Sequence, residues 1–203
     1  MGIPSLNRTD YTFEEYLALE AELEERHEYH NGELLEMSKG TFEHSVIGNN
    51  IGTVLSNALV ANNRSCFVTN SEMKVYIEAY NKSVYPDAMM LCEEPKFVGD
   101  NSTVLTNPAL VVEVLSKSTR IYDKGEKFEL YRALPSFKEY MLVWQSVPKV
   151  QTWYRADTNI WHIASAFGLD KNIYLHSLEA DVSLAAIYRN ITTLKMEDDG
   201  MAY

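Results

Sequence analysis

The run Leu110-Val111-Val112-Glu113-Val114-Leu115 is almost continuously apolar, rich in β-branched residues and only six residues long. Strands with one wet face alternate polar and apolar residues, so this run reads as a central strand buried on both faces. A chain that contains it must place a layer on each side of a sheet. Helical spacing elsewhere supplies those layers. Between Thr41 and about Ala61, Phe42, Val46, Ile47, Ile51, Val54, Leu55 and Leu59 recur on one face. Residues 123 to 133 repeat the pattern with Phe128, Leu130 and Tyr131, and Pro135 ends it. The spacing predicts a further helix over residues 12 to 24, opened by a capping box of Thr12 and Glu15, with its acids facing solvent.

Strand signals fill the intervals. HEYHNGELLEM sets Asn31-Gly32 between two short runs, a strong hairpin signal. CFVT, MKVYI, VYPDAMML and KEYMLVW read as sheet strands, and VQTWYRA, NIWHIASAF and NIYLHS as an antiparallel extension before a closing helix in VSLAAIYRN. The expected architecture is α/β (α+β): a mixed central sheet flanked by helices, with an N-terminal helix and hairpin and a C-terminal antiparallel extension. With 203 residues, 46% of them hydrophobic, residues 1–203 are expected to form one domain.

Composition narrows the function. No apolar stretch approaches the length of a membrane span, and MGIPSLNRTD lacks a basic segment followed by an apolar one, so a soluble, cytoplasmic protein is expected. Cys66 and Cys92 show no metal-ligand spacing and read as reduced, buried thiols. The net charge of −11 opposes a polyanionic partner, although much of the acid is local, in EEYLALEAELEE and MEDDG.

Three polar groups stand out: Asp87, Glu113 and Lys127. A carboxylate inside an apolar strand is costly unless it is paired, protonated or bound to a cation. Two carboxylates on adjacent strands can share a hard cation such as Mg²⁺, which keeps several waters. Structural readings stand beside this one. Asp87 follows Pro86 and suits a strand-start cap, Glu113 suits an ion pair with a buried Lys or Arg, and Lys127 suits an ordinary surface pair with Asp123 four residues earlier. His27, His30 and His44 lack zinc spacing, and Ser116, Ser118 and Thr119 suit a capping turn. Trp144, Trp153 and Trp161 suit a core or a dimer interface.

The segments RHEYHNGELLEMS, HSVIGNNIGTVLSNAL, YPDAMML, NPALVVEVLSKSTRIYDKGEKFELYRALPSFKEYMLV and SLEADVSLAAIY resemble a large bacterial family of restriction endonuclease-like proteins with the PD-(D/E)XK fold, over nearly the whole chain. The resemblance implies a Mg²⁺- or Mn²⁺-dependent endonuclease acting on DNA. Asp87 and Glu113 would be the metal ligands, with help from the Val114 carbonyl, Lys127 the catalytic lysine and Glu33 an auxiliary acid. Leu115 stands where the simplest motif has its lysine, so Lys127 must reach the site from the following helix, and Lys117 replaces a proline common in the family. Endonucleases that cut both strands often pair identical subunits, so a homodimer is expected. The rival readings are a non-catalytic nucleic-acid or partner-binding protein that keeps the fold, favoured by the charge, and a hydrolase of another phosphate or small-molecule substrate.

Overall fold

A computed structural model describes residues 8–197 of the chain. The MGIPSLN start and the end of the acidic MEDDG segment lie outside the described residues. In chain order the elements are α1 (Phe13–Glu20), β1 (His27–His30), β2 (Glu33–Glu36), α2 (Phe42–Ala61), β3 (Phe67–Asn70), β4 (Lys74–Ile77), β5 (Lys82–Val84), β6 (Ala88–Leu91), β7 (Val104–Leu105), β8 (Leu110–Leu115), α3 (Arg120–Lys124), α4 (Glu126–Arg132), β9 (Glu139–Trp144), β10 (Lys149–Asp157), β11 (Ile160–Phe167), β12 (Asn172–Leu175), β13 (Ala180–Ser183) and α5 (Leu184–Ile187). No helix among the described residues is long and apolar enough to cross a membrane.

The centre is a six-stranded mixed sheet in the order β11-β10-β9-β8-β6-β3. Only β8 and β9 pair in parallel within it. Every residue of β8 is buried, as its apolar run requires. Alternation along the strand divides the core in two. Leu110, Val112 and Val114 face α2, α5 and the β12–β13 hairpin, against Ile47, Ile51, Leu55 and Leu184. Val111 and Leu115 face the opposite layer, where Phe128 and Tyr131 of α4 meet Val75 and Val84 of a second sheet, ordered β2-β1-β5-β4-β7. Glu113 has the parity of this second face. The three tryptophans serve it too: Trp144 is buried in that core, and Phe128 meets Trp153 and Trp161 edge-on with ring centroids 4.4 and 4.9 Å apart.

Local chemistry explains several boundaries. Thr12 Oγ1 accepts from the Glu15 amide at 3.1 Å while Glu15 Oε2 accepts from the Thr12 amide at 2.8 Å, so the capping box starts α1. The helix stops at Glu20 rather than near residue 24. Its last turn carries no basic residue, and the acids at 20, 22, 24 and 25 would crowd the negative end of the helix dipole. Nor do all the acids face solvent: the Glu20 side chain is buried and accepts from the His27 amide and the Tyr85 hydroxyl. At the hairpin tip Asn31 and Gly32 both have positive φ, as a two-residue primed turn demands. Glycine is required at 32, because a Cβ there would lie 2.7 Å from the Thr9 carbonyl oxygen. VYPDAMML is not one strand, for Tyr85-Pro86-Asp87 separates β5 from β6. The helix expected over 123 to 133 breaks at Gly125, whose φ of −112° and ψ of −90° are not helical, giving α3 and α4.

The cysteines correct the sequence reading. Cys66 and Cys92 form a disulfide, their Cα atoms 4.2 Å apart. The reason is register: Phe67 pairs with Leu91, so the next residue on each strand faces its counterpart across the β3–β6 ladder. Nothing in a 26-residue separation shows that pairing. Closing a loop of that size stabilises the fold by about 3.5 kcal/mol on the chain-entropy account. The double substitution Cys66→Ala with Cys92→Ala is therefore expected to cost about 2–4 kcal/mol by urea denaturation. A loss below 0.5 kcal/mol would show that the bridge does not hold the edge strand.

Candidate active site

Lys127 lies at the middle of a buried acidic cluster. From the first turn of α4 its ammonium donates to the Tyr85 carbonyl at 3.0 Å and lies 3.0 Å from Glu113 Oε1, 3.6 Å from Glu28 Oε1 and 3.8 Å from Asp123 Oδ1. Only 6% of its side chain is exposed. The pair with Asp123 exists, but it is inside the protein rather than on the surface. The break at Gly125 separates the two short helices that bring Asp123 and Lys127 to β8.

Each acid has distinct partners. Glu113 Oε1 also accepts from the Tyr131 hydroxyl at 3.0 Å. Glu28, on β1, accepts from the Tyr122 hydroxyl at 2.8 Å and the Tyr85 amide at 3.3 Å, and its Oε2 lies 3.1 Å from His30 Nε2. Asp87 stands one residue before β6; the register of Ala88 with Val112 brings it to the level of Glu113. Its Oδ2 accepts from the Val114 amide at 2.6 Å and its Oδ1 lies 2.8 Å from His44 Nε2 in α2. At Val114 the group seen to engage the site is thus the amide. Asp87 and His44 are partly exposed and line a groove of about 830 Å³ that runs between α2 and β3.

The electrostatics follow from crowding. Burial pushes the Glu113 carboxyl well above its ordinary range; Lys127 opposes the shift, and Asp123 and Asp87 reinforce it. Burial likewise raises Asp123. For Glu28 burial also acts upward, but Lys127, His30 and Tyr122 outweigh it and hold the carboxyl below its usual value. Burial works against the Lys127 ammonium, yet Glu113, Glu28, Asp123 and Asp87 keep it well above the usual lysine range. Lys127 is the fixed positive charge here, and Glu113 is the acid least at ease as an anion. Three carboxylates share this one ammonium and Asp87 lies at the level of Glu113, so the fully ionised cluster carries an excess of negative charge that a proton or a cation must offset.

The structure brings together Asp87, Glu113 and Lys127, and it does not bring Glu33. Glu33 is exposed on β2, paired in register with His30. The hairpin acid that reaches Lys127 is Glu28. The test applied to Glu113, an acid inside an apolar run, does not select it, because Glu28 sits in the polar strand His27–His30. His44 was set aside for want of zinc spacing, a criterion blind to a single His–Asp pair. The same test also has a structural answer, since Glu139 in β9 is fully buried and accepts from the His176 and Ser177 amides and the Ser177 hydroxyl. The Ser116 hydroxyl accepts from the Thr119 amide at 3.2 Å, an internal turn contact.

The model of a family described as "Uma2: Putative restriction endonuclease" matches residues 13–186. Two uncharacterised proteins of Synechocystis sp. are similar. The protein slr1290 is 33% identical over 178 residues, covering 88% of this chain and 91% of its own length; sll1609 is 31% identical over 162 residues, covering 80% and 90%. Among solved structures, "a putative nuclease belonging to DUF820" from Anabaena variabilis superposes with a TM-score of 0.64 at 15% identity, covering 88% of this chain and 97% of that one. At that identity the likeness concerns the fold, which is restriction endonuclease-like. The chain belongs to the Uma2 family of restriction endonuclease-like proteins.

Proposed function

We propose that the protein is a divalent-metal-dependent endonuclease that hydrolyses phosphodiester bonds in DNA, with Asp87 and Glu113 as metal ligands. The observation that carries this reading is the buried cluster in which several carboxylates surround one lysine. The donor set fits a hard cation, for it offers carboxylate oxygens and no thiolate. Among the described residues no group of three or more His, Cys, Asp and Glu side chains is arranged to hold a metal. An ion bound by two carboxylates must keep water in most of its shell, which suits Mg²⁺ or Mn²⁺ better than zinc.

An ion held there would lower the pKa of a bound water and offset charge on the phosphate. The remaining work falls to the protein. Lys127 is held charged, with its ammonium against Glu113, placed to orient a nucleophile or to stabilise developing negative charge. Glu28, anchored by Tyr122 and the Tyr85 amide, keeps Lys127 on the Glu113 side. Asp87 is oriented at both oxygens, by the Val114 amide and by His44.

Plasmid nicking tests the proposal. Relaxation of supercoiled DNA is expected in millimolar Mg²⁺ or Mn²⁺ and absent in chelator. Ion binding by calorimetry without nicking would move the reading to another phosphate substrate. A folded protein that binds no ion at millimolar concentration would favour the non-catalytic binding role that the −11 charge supports. A homodimer stays part of the proposal, with sedimentation as its check.

A further inference from the structure

Lys74 and Lys127 are the lysines buried among the described residues, 7% and 5% exposed, and their surroundings are opposite. Lys127 has three carboxylates at 3.0 to 3.8 Å. Lys74 has no such partner, and its ammonium lies over the Tyr85 ring, 5.2 Å from the centroid. Register puts it there: Lys74 opens β4, where Val75 pairs with Val84, so the next residue on each strand sets Lys74 across from Tyr85. The nearby acids are already engaged. Glu20 accepts from the Tyr85 hydroxyl at 2.6 Å and from the His27 amide at 3.0 Å, and Glu72 pairs with Arg26. The Arg26 guanidinium lies against the same ring, 5.7 Å from its centroid, and donates to the Ser71 carbonyl at 2.8 Å. Burial holds the Lys74 ammonium below the usual lysine range; Glu20 opposes the shift and Arg26 adds to it. An aliphatic stem over Tyr85 could be supplied by methionine, so packing accounts for the stem and not for the charge. The ring face offsets the cost of burying that charge only in part. The Lys74 nitrogen is not among the sealed polar atoms that lack a partner, so one side of the ammonium stays open to solvent.

We propose that Lys74 and Arg26 bind a backbone phosphate of the DNA substrate beside the scissile bond, with Lys74 supplying the unpaired positive charge. This rests on the nuclease reading and adds to it a phosphate contact outside the metal cluster. Tyr85 joins the two places. Its carbonyl accepts from Lys127 at 3.0 Å, its ring carries Lys74 and Arg26, and Asp87 follows two residues later. An ammonium meets a phosphate as a compact point charge, and a guanidinium adds donors of fixed direction. Such contacts fix where a strand lies without reading its bases. They also bear on the net charge of −11. A lysine without a carboxylate partner has no internal ion pair to break before it neutralises a phosphate, so a few such residues give an acidic protein its hold on a polyanion.

The test is fluorescence anisotropy with a short labelled DNA duplex over a salt series, in chelator and in Mg²⁺, for the whole chain, Lys74→Met and Arg26→Gln. Plasmid nicking, Mg²⁺ calorimetry and melting with and without inorganic phosphate run alongside. Methionine keeps the apolar stem and removes a buried, unpaired charge, so Lys74→Met is expected to melt no lower than the parent. Arg26→Gln alters an exposed side chain and carries the test independently. Duplex affinity is expected to fall about tenfold in Lys74→Met, and the slope of log affinity against log salt to flatten by about 0.9, the share of one phosphate. Arg26→Gln should weaken binding in the same sense, and both variants should keep Mg²⁺ affinity within about twofold of the parent. An unchanged slope in both variants, or a parent that binds no duplex, would overturn the proposal even where plasmid is nicked. So would a rise in melting temperature with inorganic phosphate that Lys74→Met abolishes while duplex binding is unmoved, since the site would then hold a free phosphate ligand. A parent that fails to nick yet binds the duplex, with the slope flattened in Lys74→Met, would refute the metal-nuclease reading and leave the phosphate contact standing.

Discussion

Glu113→Gln is expected to abolish nicking and to weaken Mg²⁺ or Mn²⁺ binding by more than about 100-fold, roughly 2.7 kcal/mol of ion affinity, while leaving the metal-free protein at least as stable as the parent. The two halves of this expectation have one cause. The Glu113 carboxyl is 3% exposed and lies in a cluster with excess negative charge, so its ionised form is costly without a cation. An amide of the same shape removes that cost and can still accept from Tyr131 and Lys127, but it is a poor ligand for a hard cation. Calorimetry and thermal denaturation in chelator separate the outcomes. If the carboxylate were only a structural partner of Lys127, the variant would lose stability and ion binding would be unmoved. Unchanged ion binding would sink the assignment of Glu113 as a ligand.

Lys127→Met is expected to have the largest effect on stability, a loss of about 3–5 kcal/mol in chelator, because it strands Glu28, Glu113 and Asp123 as buried acids without their common cation. Divalent ion should restore part of the loss, since a ligand that binds only the folded chain stabilises it by mass action. The control is Lys82→Met. Lys82 pairs with Glu126 at 2.6 Å, but Glu126 is 54% exposed, and such a pair contributes no more than about 1 kcal/mol. Equal losses for the two variants in urea titrations would show that Lys127 contributes no more than an exposed ion pair does.

Much of the fold was legible because it rests on local rules. Asn31-Gly32 encodes the primed turn, Thr12 and Glu15 encode the helix start, and the unbroken apolar run of β8 announces a strand covered on both faces. Glu113 stood out for a physical reason, as a charge placed where charge is expensive. What stayed hidden depends on pairing between distant segments. The Cys66–Cys92 bridge follows from strand register, which spacing does not reveal. Glu28 and Glu33 share one hairpin, and only the packing of β1 against Tyr85, Tyr122 and Lys127 decides between them. His44 gains meaning from Asp87, 43 residues later. The helical spacing over 123 to 133 did not show that Gly125 divides two short helices.

The cluster also has a consequence for the newly made chain. Its side chains come from β1, α2, the approach to β6, β8, α3 and α4, so the contacts join residue 28 to residue 127 and cross both sheets. Such non-local contacts form only after the loops between them have closed. No fragment ending before α4 contains Lys127, and none lacking β1 contains Glu28. A chain that ends before α4 holds the acids without their counter-charge, and one that lacks β1 holds the lysine without Glu28. The buried cluster is therefore assembled only in a chain that carries both β1 and α4.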